Sequence, residues 1–205
     1  MHWTASTLCL IALLAAEPAT ADPAPTECDL LAGHPSDPDR VGAGVPTAQV
    51  RAWNEAAIAA CSRDVAARPT EHRLRYNLGR ALFYRGRSAE ALRELEAAAG
   101  ARHRQAQFVL GLLQTDGVPD VLVPDACRAL PLWWDAARRG HYAARISLAR
   151  QWLRDAYADC AAVPGRDEIG GFLAAVASQA QADYYQGQLV AELQEKLDAA
   201  RARQP

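Results

Sequence analysis

A leucine followed at once by glycine or alanine recurs three times in this chain, at Leu78-Gly79, Leu110-Gly111 and Leu148-Ala149. A residue with little side chain beside a large apolar one lets a second helix approach closely, so each notch predicts a helix packed against a neighbour. After the first notch come Leu82, Gly86, Ala91, Leu95 and Ala98, a spacing that turns the chain at Gly86 and returns a second apolar stripe over the first. That is an antiparallel hairpin of two short helices. A unit recurring every ~20 to 50 residues stacks, each hairpin burying its open face on the next. No stretch alternates apolar and polar residues in the manner of a strand, so the fold class is all-α.

The first copy resembles a tetratricopeptide repeat. The second, Ala106-Gln107-Phe108-Val109-Leu110-Gly111, then Asp116-Gly117-Val118-Pro119, then Trp133-Trp134-Asp135-Ala136-Ala137-Arg138-Arg139-Gly140, resembles the Sel1-like variant, which has a longer inter-helix loop. The resemblance is close over residues 71–154 and weak over 155–203. It implies a short right-handed α-solenoid whose first helices line a concave face. Matching the copies by their leucines places Arg73, Tyr76, Arg80 and Tyr84 on that face, then Gln105, Phe108 and Leu112, then Ile146, Arg150 and Arg154. Such a groove is apolar in the middle with arginines at both ends, and suits an extended peptide bearing acidic groups. Against this stands the fact that arginine is the default surface cation here, Lys196 being the only lysine. The resemblance also implies a scaffold or adaptor that binds a protein or peptide rather than an enzyme. The two alternatives are a periplasmic regulator restraining a membrane sensor and an enzyme acting on the cell envelope.

The amino terminus carries a different message. Residues 1–21 contain an apolar run from Leu8 to Ala16 and end in Ala19-Thr20-Ala21, a small-x-small cleavage pattern, which predicts a signal peptide removed near Ala21 even though no Lys or Arg precedes the run. Cys9 has no lipobox before it. The apolar run is too short to span a bilayer, and no later stretch approaches the ~20 residues required, so a periplasmic or secreted protein without membrane insertion is expected. A formal net charge of −2 argues against nucleic acid as a partner. Four cysteines remain after the signal, an even number that in an exported chain predicts two disulfides. Three pairings are possible. Cys28 with Cys61 and Cys127 with Cys160 are favoured, because each pair is separated by 33 residues, about one repeat unit. A zinc site is the weaker reading, as no two cysteines stand in Cys-x-x-Cys spacing.

Between the signal and the repeats, residues 22–46 hold five prolines and predict an irregular arm, tied down by Cys28, with Leu30-Leu31 lying on the first helix. The run Cys28-Asp29-Leu30-Leu31-Ala32, followed by Pro35, Asp37, Arg40 and Gly44-Val45, looks like the segment that precedes the repeats in some exported bacterial Sel1-like proteins. A first helix is expected over 47–69, capped by Thr47 and stopped by Pro69, and the repeat domain over 70–203. Within it Thr70, Ser88 and Asp125 are candidate helix caps, and Pro131 marks a kink or a late helix start. A last helix over about 183–203 seals the open end.

Nothing in the sequence has the spacing of a catalytic motif or a cofactor site: there is no Gly-x-Ser-x-Gly, no His-Glu-x-x-His and no phosphate loop. His72, His103 and His141 recur at the starts of the first helices. Metal binding by such a ladder is weaker than simple repetition with the rings facing solvent, so no metal is assigned. Of the adjacent Trp133 and Trp134, one is expected to be partly exposed.

Overall fold

The computed structural model describes residues 23–180 and 184–202. The predicted signal peptide lies outside the described residues. All regular structure within them is helical, save one isolated bridge between Val118 and Leu122. The helices are α1 (Glu27–Ala32), α2 (Thr47–Ala52), α3 (Asn54–Ala67), α4 (His72–Tyr84), α5 (Ser88–Gly100), α6 (Arg104–Asp116), α7 (Ala126–Arg138), α8 (Tyr142–Trp152), α9 (Arg166–Ala180) and α10 (Tyr184–Ala202). From α3 onward each packs against the next, most closely α4 with α5 and α6 with α7, while α1 and α2 lie against α3 and α4. None is long and apolar enough to cross a membrane.

The notches do what their sequence predicts. A Cβ on Gly79 would sit 2.9 Å from Leu95 Cγ, and one on Gly111 would sit 2.3 Å from Trp133 Nε1. In each case the missing side chain is the space that the partner helix occupies. Trp133 is fully buried and donates its indole N–H to the Phe108 carbonyl at 2.9 Å, whereas its neighbour Trp134 is half-buried. The buried residues form three clusters along the chain. The first joins α1–α5 around Val50, Leu74 and Leu78, the second joins α4–α6 around Tyr76 and Leu95, and the third runs from Leu130 to Leu197. Pro131 sits inside α7 without displacing its start, which Asp125 caps by accepting from the Arg128 amide.

Four expectations about the helices need correction. The helix predicted over 47–69 is two helices, broken at Trp53, whose backbone leaves the helical region at φ −103° and ψ 20°. Asn54 begins α3 buried and donates to the Ala81 carbonyl, which holds the break against α4. Thr47 and Ser88 are not caps but the first helical residues, and Thr70 lies ahead of Glu71, the residue before α4; none of these starts has a side-chain cap. Thr47 instead turns its hydroxyl to Tyr84 and Arg80. Caps of another kind appear at α6 and α8, where His103 and His141 each accept a backbone N–H three residues on.

Both disulfides form in the favoured pairing. Cys28–Cys61 ties α1 to α3, and Cys127–Cys160 ties the first turn of α7 to the loop after α8. Loops of this length contribute roughly 3 to 4 kcal/mol each in the chain-entropy model.

Candidate functional site

Residues of α4, α6 and α8 line one cavity of about 960 Å³. Arm residues His34, Ser36, Pro38 and Arg40 close one side, and Gln179, Gln186 and Leu189 of α9 and α10 close the other. Its volume is that of a site for one small molecule or a few peptide residues. The lining is mainly aromatic and aliphatic, from Phe83, Tyr84, Phe108, Leu112 and Ile146.

The arm reaches α4 and α6 through a series of aspartates. Asp29 on α1, 2% exposed, accepts from Arg73 at 3.2 and 3.1 Å and from Asn77 at 3.1 Å. Asp37 is equally buried and stands 3.4 Å from His103 Nε2. Asp39 takes a bidentate grip from Arg104, whose Nε lies 3.0 Å from Oδ1, and this holds the Asp39 carboxyl below its usual range. Arg80, 5% exposed, gives its guanidinium to the carbonyls of Ala32, Gly33 and Val45 at 2.9 to 3.0 Å. It has no carboxylate partner among the described residues. Buried cations normally acquire one, and here four oxygens of the arm and of Thr47 substitute for it.

Beneath the arm two histidines are set by their capping role. His141 Nδ1 accepts from the Ala144 amide, so the ring proton resides on Nε2 and is donated to Gln105 Oε1 at 2.8 Å. His103 Nδ1 accepts likewise from Ala106, which turns its Nε2–H toward Asp37. Each ring also stacks on an aromatic residue of the cavity lining, His103 on Tyr76 at 5.2 Å and His141 on Phe108 at 4.9 Å. Burial, with the charge of Arg104 nearby, lowers both histidines to about 4. His34 falls to about 4 for the same first reason, aided by Arg80. Burial raises Asp37 to about 7 and pushes the Tyr76 phenol up. The expectation that these helix-start histidines face solvent is therefore wrong for His103 and His141. Turning Nδ1 back onto the helix swings the ring inward, against the aromatic residue.

Asp37, Asp39 and His103 are close enough to suggest a metal site. Their chemistry argues otherwise. Asp39 is already neutralised by Arg104, and a histidine whose Nδ1 caps a helix carries its proton on Nε2 and has no lone pair there for an ion.

Of the residues the sequence places in the groove, Tyr76, Arg80, Tyr84, Phe108 and Arg150 line the cavity. Arg73 lies beside it under the arm, bound to Asp29, and Arg154 is exposed in the turns after α8. Gln105, Leu112 and Ile146 line the cavity as the sequence predicts, and the structure adds the arm itself, His141 bonded to Gln105, and the C-terminal helices. The arm was detectable in principle, since Asp29, Asp37 and Asp39 form an acidic series in a segment preceding a face of arginines. Comparison of the chain with protein-family models, with curated proteins and with solved structures returns no match.

Proposed function

We propose that the protein is a non-catalytic adaptor, exported to the periplasm or beyond, that holds a segment of a protein partner in the cavity of the concave face. In this reading the chain is a short α-solenoid of tetratricopeptide/Sel1-like hairpins. The observation that carries it is the unequal use of that cavity. On its α4 side the arm engages Arg80 through the carbonyls of Ala32, Gly33 and Val45, although Tyr76 and Tyr84 still line the cavity. Phe108, Leu112, Ile146 and Arg150 border the same cavity, of peptide size, where the arm does not bind them. Two disulfides agree with an oxidising compartment, and among the described residues no helix is long and apolar enough to cross a membrane. Asp37, Asp39, His103, Arg104 and His141 are engaged in capping and ion pairing, which suits holding better than chemistry.

Site-specific photo-crosslinking in the native envelope tests the proposal. A photoreactive side chain at Leu112 should capture one partner, and the same group at Arg93, exposed on α5, should not. Equal capture at both positions, or capture at Arg93 alone, would refute the cavity as the binding surface.

A further inference from the structure

Arg150 occupies the same place in its helix as Arg80, two residues after the leucine of the notch. The two differ in what they hold. Arg80 clasps the arm where it leaves α1 and where it enters α2, through the carbonyls of Ala32, Gly33 and Val45 and the Thr47 hydroxyl. Arg150, one hairpin pair further along, makes no hydrogen bond or ion pair among the described residues, and its Nε is buried without a partner. Both line the same cavity, whose one carboxylate among the described lining residues is the exposed Asp116.

The arm shows what this face accepts: acidic side chains, Asp29 from α1 and Asp37 and Asp39 from the turns after it, which pair with the N-terminal groups of α4 and α6, at Arg73, His103 and Arg104. We infer that the open part of the groove takes an acidic segment of the partner, laid across α6 and α8 beyond the arm, with one carboxylate on Arg150 and an adjacent apolar side chain against Phe108, Leu112 and Ile146. This rests on the adaptor reading and specifies its ligand. Charge complementarity selects the acid. A half-buried guanidinium with no counter-ion gains most from a carboxylate, whose two oxygens match its fork. The stacked pair Phe108–His141 is locked by the Gln105 hydrogen bond, so the apolar wall is in place before binding. His141 adds no competing charge, because its cap keeps it neutral.

The test selects random eight-residue peptides displayed on phage against the mature disulfide-bonded protein, then measures synthetic versions of the winners by fluorescence anisotropy. Enriched peptides should carry Asp or Glu within three positions of an aromatic or branched aliphatic residue. Arg150→Gln should weaken their binding about tenfold or more, the size of a charge-assisted pair. Changing the peptide acid to its amide should cost a similar factor, with little further loss when the two changes are combined. Arg150→Lys should restore part of the affinity, and the melting temperatures of both variants show that the fold is retained. Enrichment of neutral or basic peptides, or acidic peptides that bind Arg150→Gln as tightly as wild type, would overturn the inference and leave the adaptor reading intact. If no peptide is enriched, the adaptor reading fails with it.

Discussion

Replacing Gly111 with alanine probes how tightly the cavity depends on the notch. The added Cβ would lie 2.3 Å from Trp133 Nε1, 2.5 Å from Cδ1 and 2.9 Å from Cε2, so the indole must move. It cannot move freely, because Trp133 is fully buried among Ala136, Ala137 and Leu148. Overpacking of this kind costs about 1 to 3 kcal/mol. Displacing the ring also breaks its bond to the Phe108 carbonyl, and an orphaned buried donor adds about 1 to 3 kcal/mol. Alanine returns up to ~1 kcal/mol through helix propensity. The net loss is about 1 to 5 kcal/mol, or roughly 2 to 20 °C in Tm at the 2 to 4 °C per kcal/mol typical of a chain this long. Gly171→Ala is the control. Nothing lies within 4 Å of its added Cβ in the middle of α9, so propensity alone acts and stability should rise by up to ~1 kcal/mol. Urea unfolding followed by circular dichroism measures both. A Gly111→Ala midpoint within error of wild type would refute the argument, and so would equal losses at the two glycines. Because Trp133 fixes the Phe108 backbone, Gly111→Ala should also weaken any ligand seated on that ring.

Acid should loosen the molecule in a defined window. His103 and His141 are lowered to about 4, so between pH ~6.5 and ~4 the unfolded chain binds protons that the folded one does not, and stability falls as pH drops. Asp37, raised to about 7, acts in the opposite sense: the folded state keeps a proton that the unfolded state releases above ~4, so its contribution weakens as pH rises toward 7. The histidines outnumber it, and the net slope is positive with pH. His141→Gln should flatten that slope by about one proton, ~1.4 kcal/mol per pH unit, in urea midpoints taken from pH 4 to 6.5; an unchanged slope would contradict the buried neutral ring. Asp29→Ala leaves Arg73 with only Glu71 as a carboxylate partner, a loss of about 1.5 to 3 kcal/mol that should free the arm to proteolysis near Arg40. Cleavage no faster than wild type would show that the pair does not hold the arm.

Much of this architecture can be read from residues that act locally or periodically. The Leu-Gly notches, the alternation of helices with Gly86 and Gly140, the Asp125 cap and the paired cysteines each leave a mark at short range or at a fixed interval. The path of the arm leaves none. It is fixed by contacts such as Arg80 with Val45 and Arg104 with Asp39, which join residues 35 and 65 positions apart and follow no period. The open groove suggested by the first-helix residues is therefore shared with a segment that looks merely irregular, and Arg73 and Arg80 turn out to be engaged by the chain itself. The capping histidines escape for a related reason. Ser, Thr, Asp and Asn are the usual caps, and a histidine at a helix start gives no sign of which way its ring will turn until the aromatic residue on the adjoining helix is in place.

The two cystine loops follow one another along the chain; they neither interlock nor enclose each other. In a chain that emerges from its N-terminus, Cys61 follows Cys28 and the first bond can close before Cys127 has appeared, leaving the later thiols only each other. Sequential delivery thereby removes the two wrong pairings that four simultaneous thiols would offer, and oxidation needs no reshuffling step. Each loop is also confined to its own end of the molecule. Reducing one bond should loosen either the arm or the C-terminal helices while the other end stays braced.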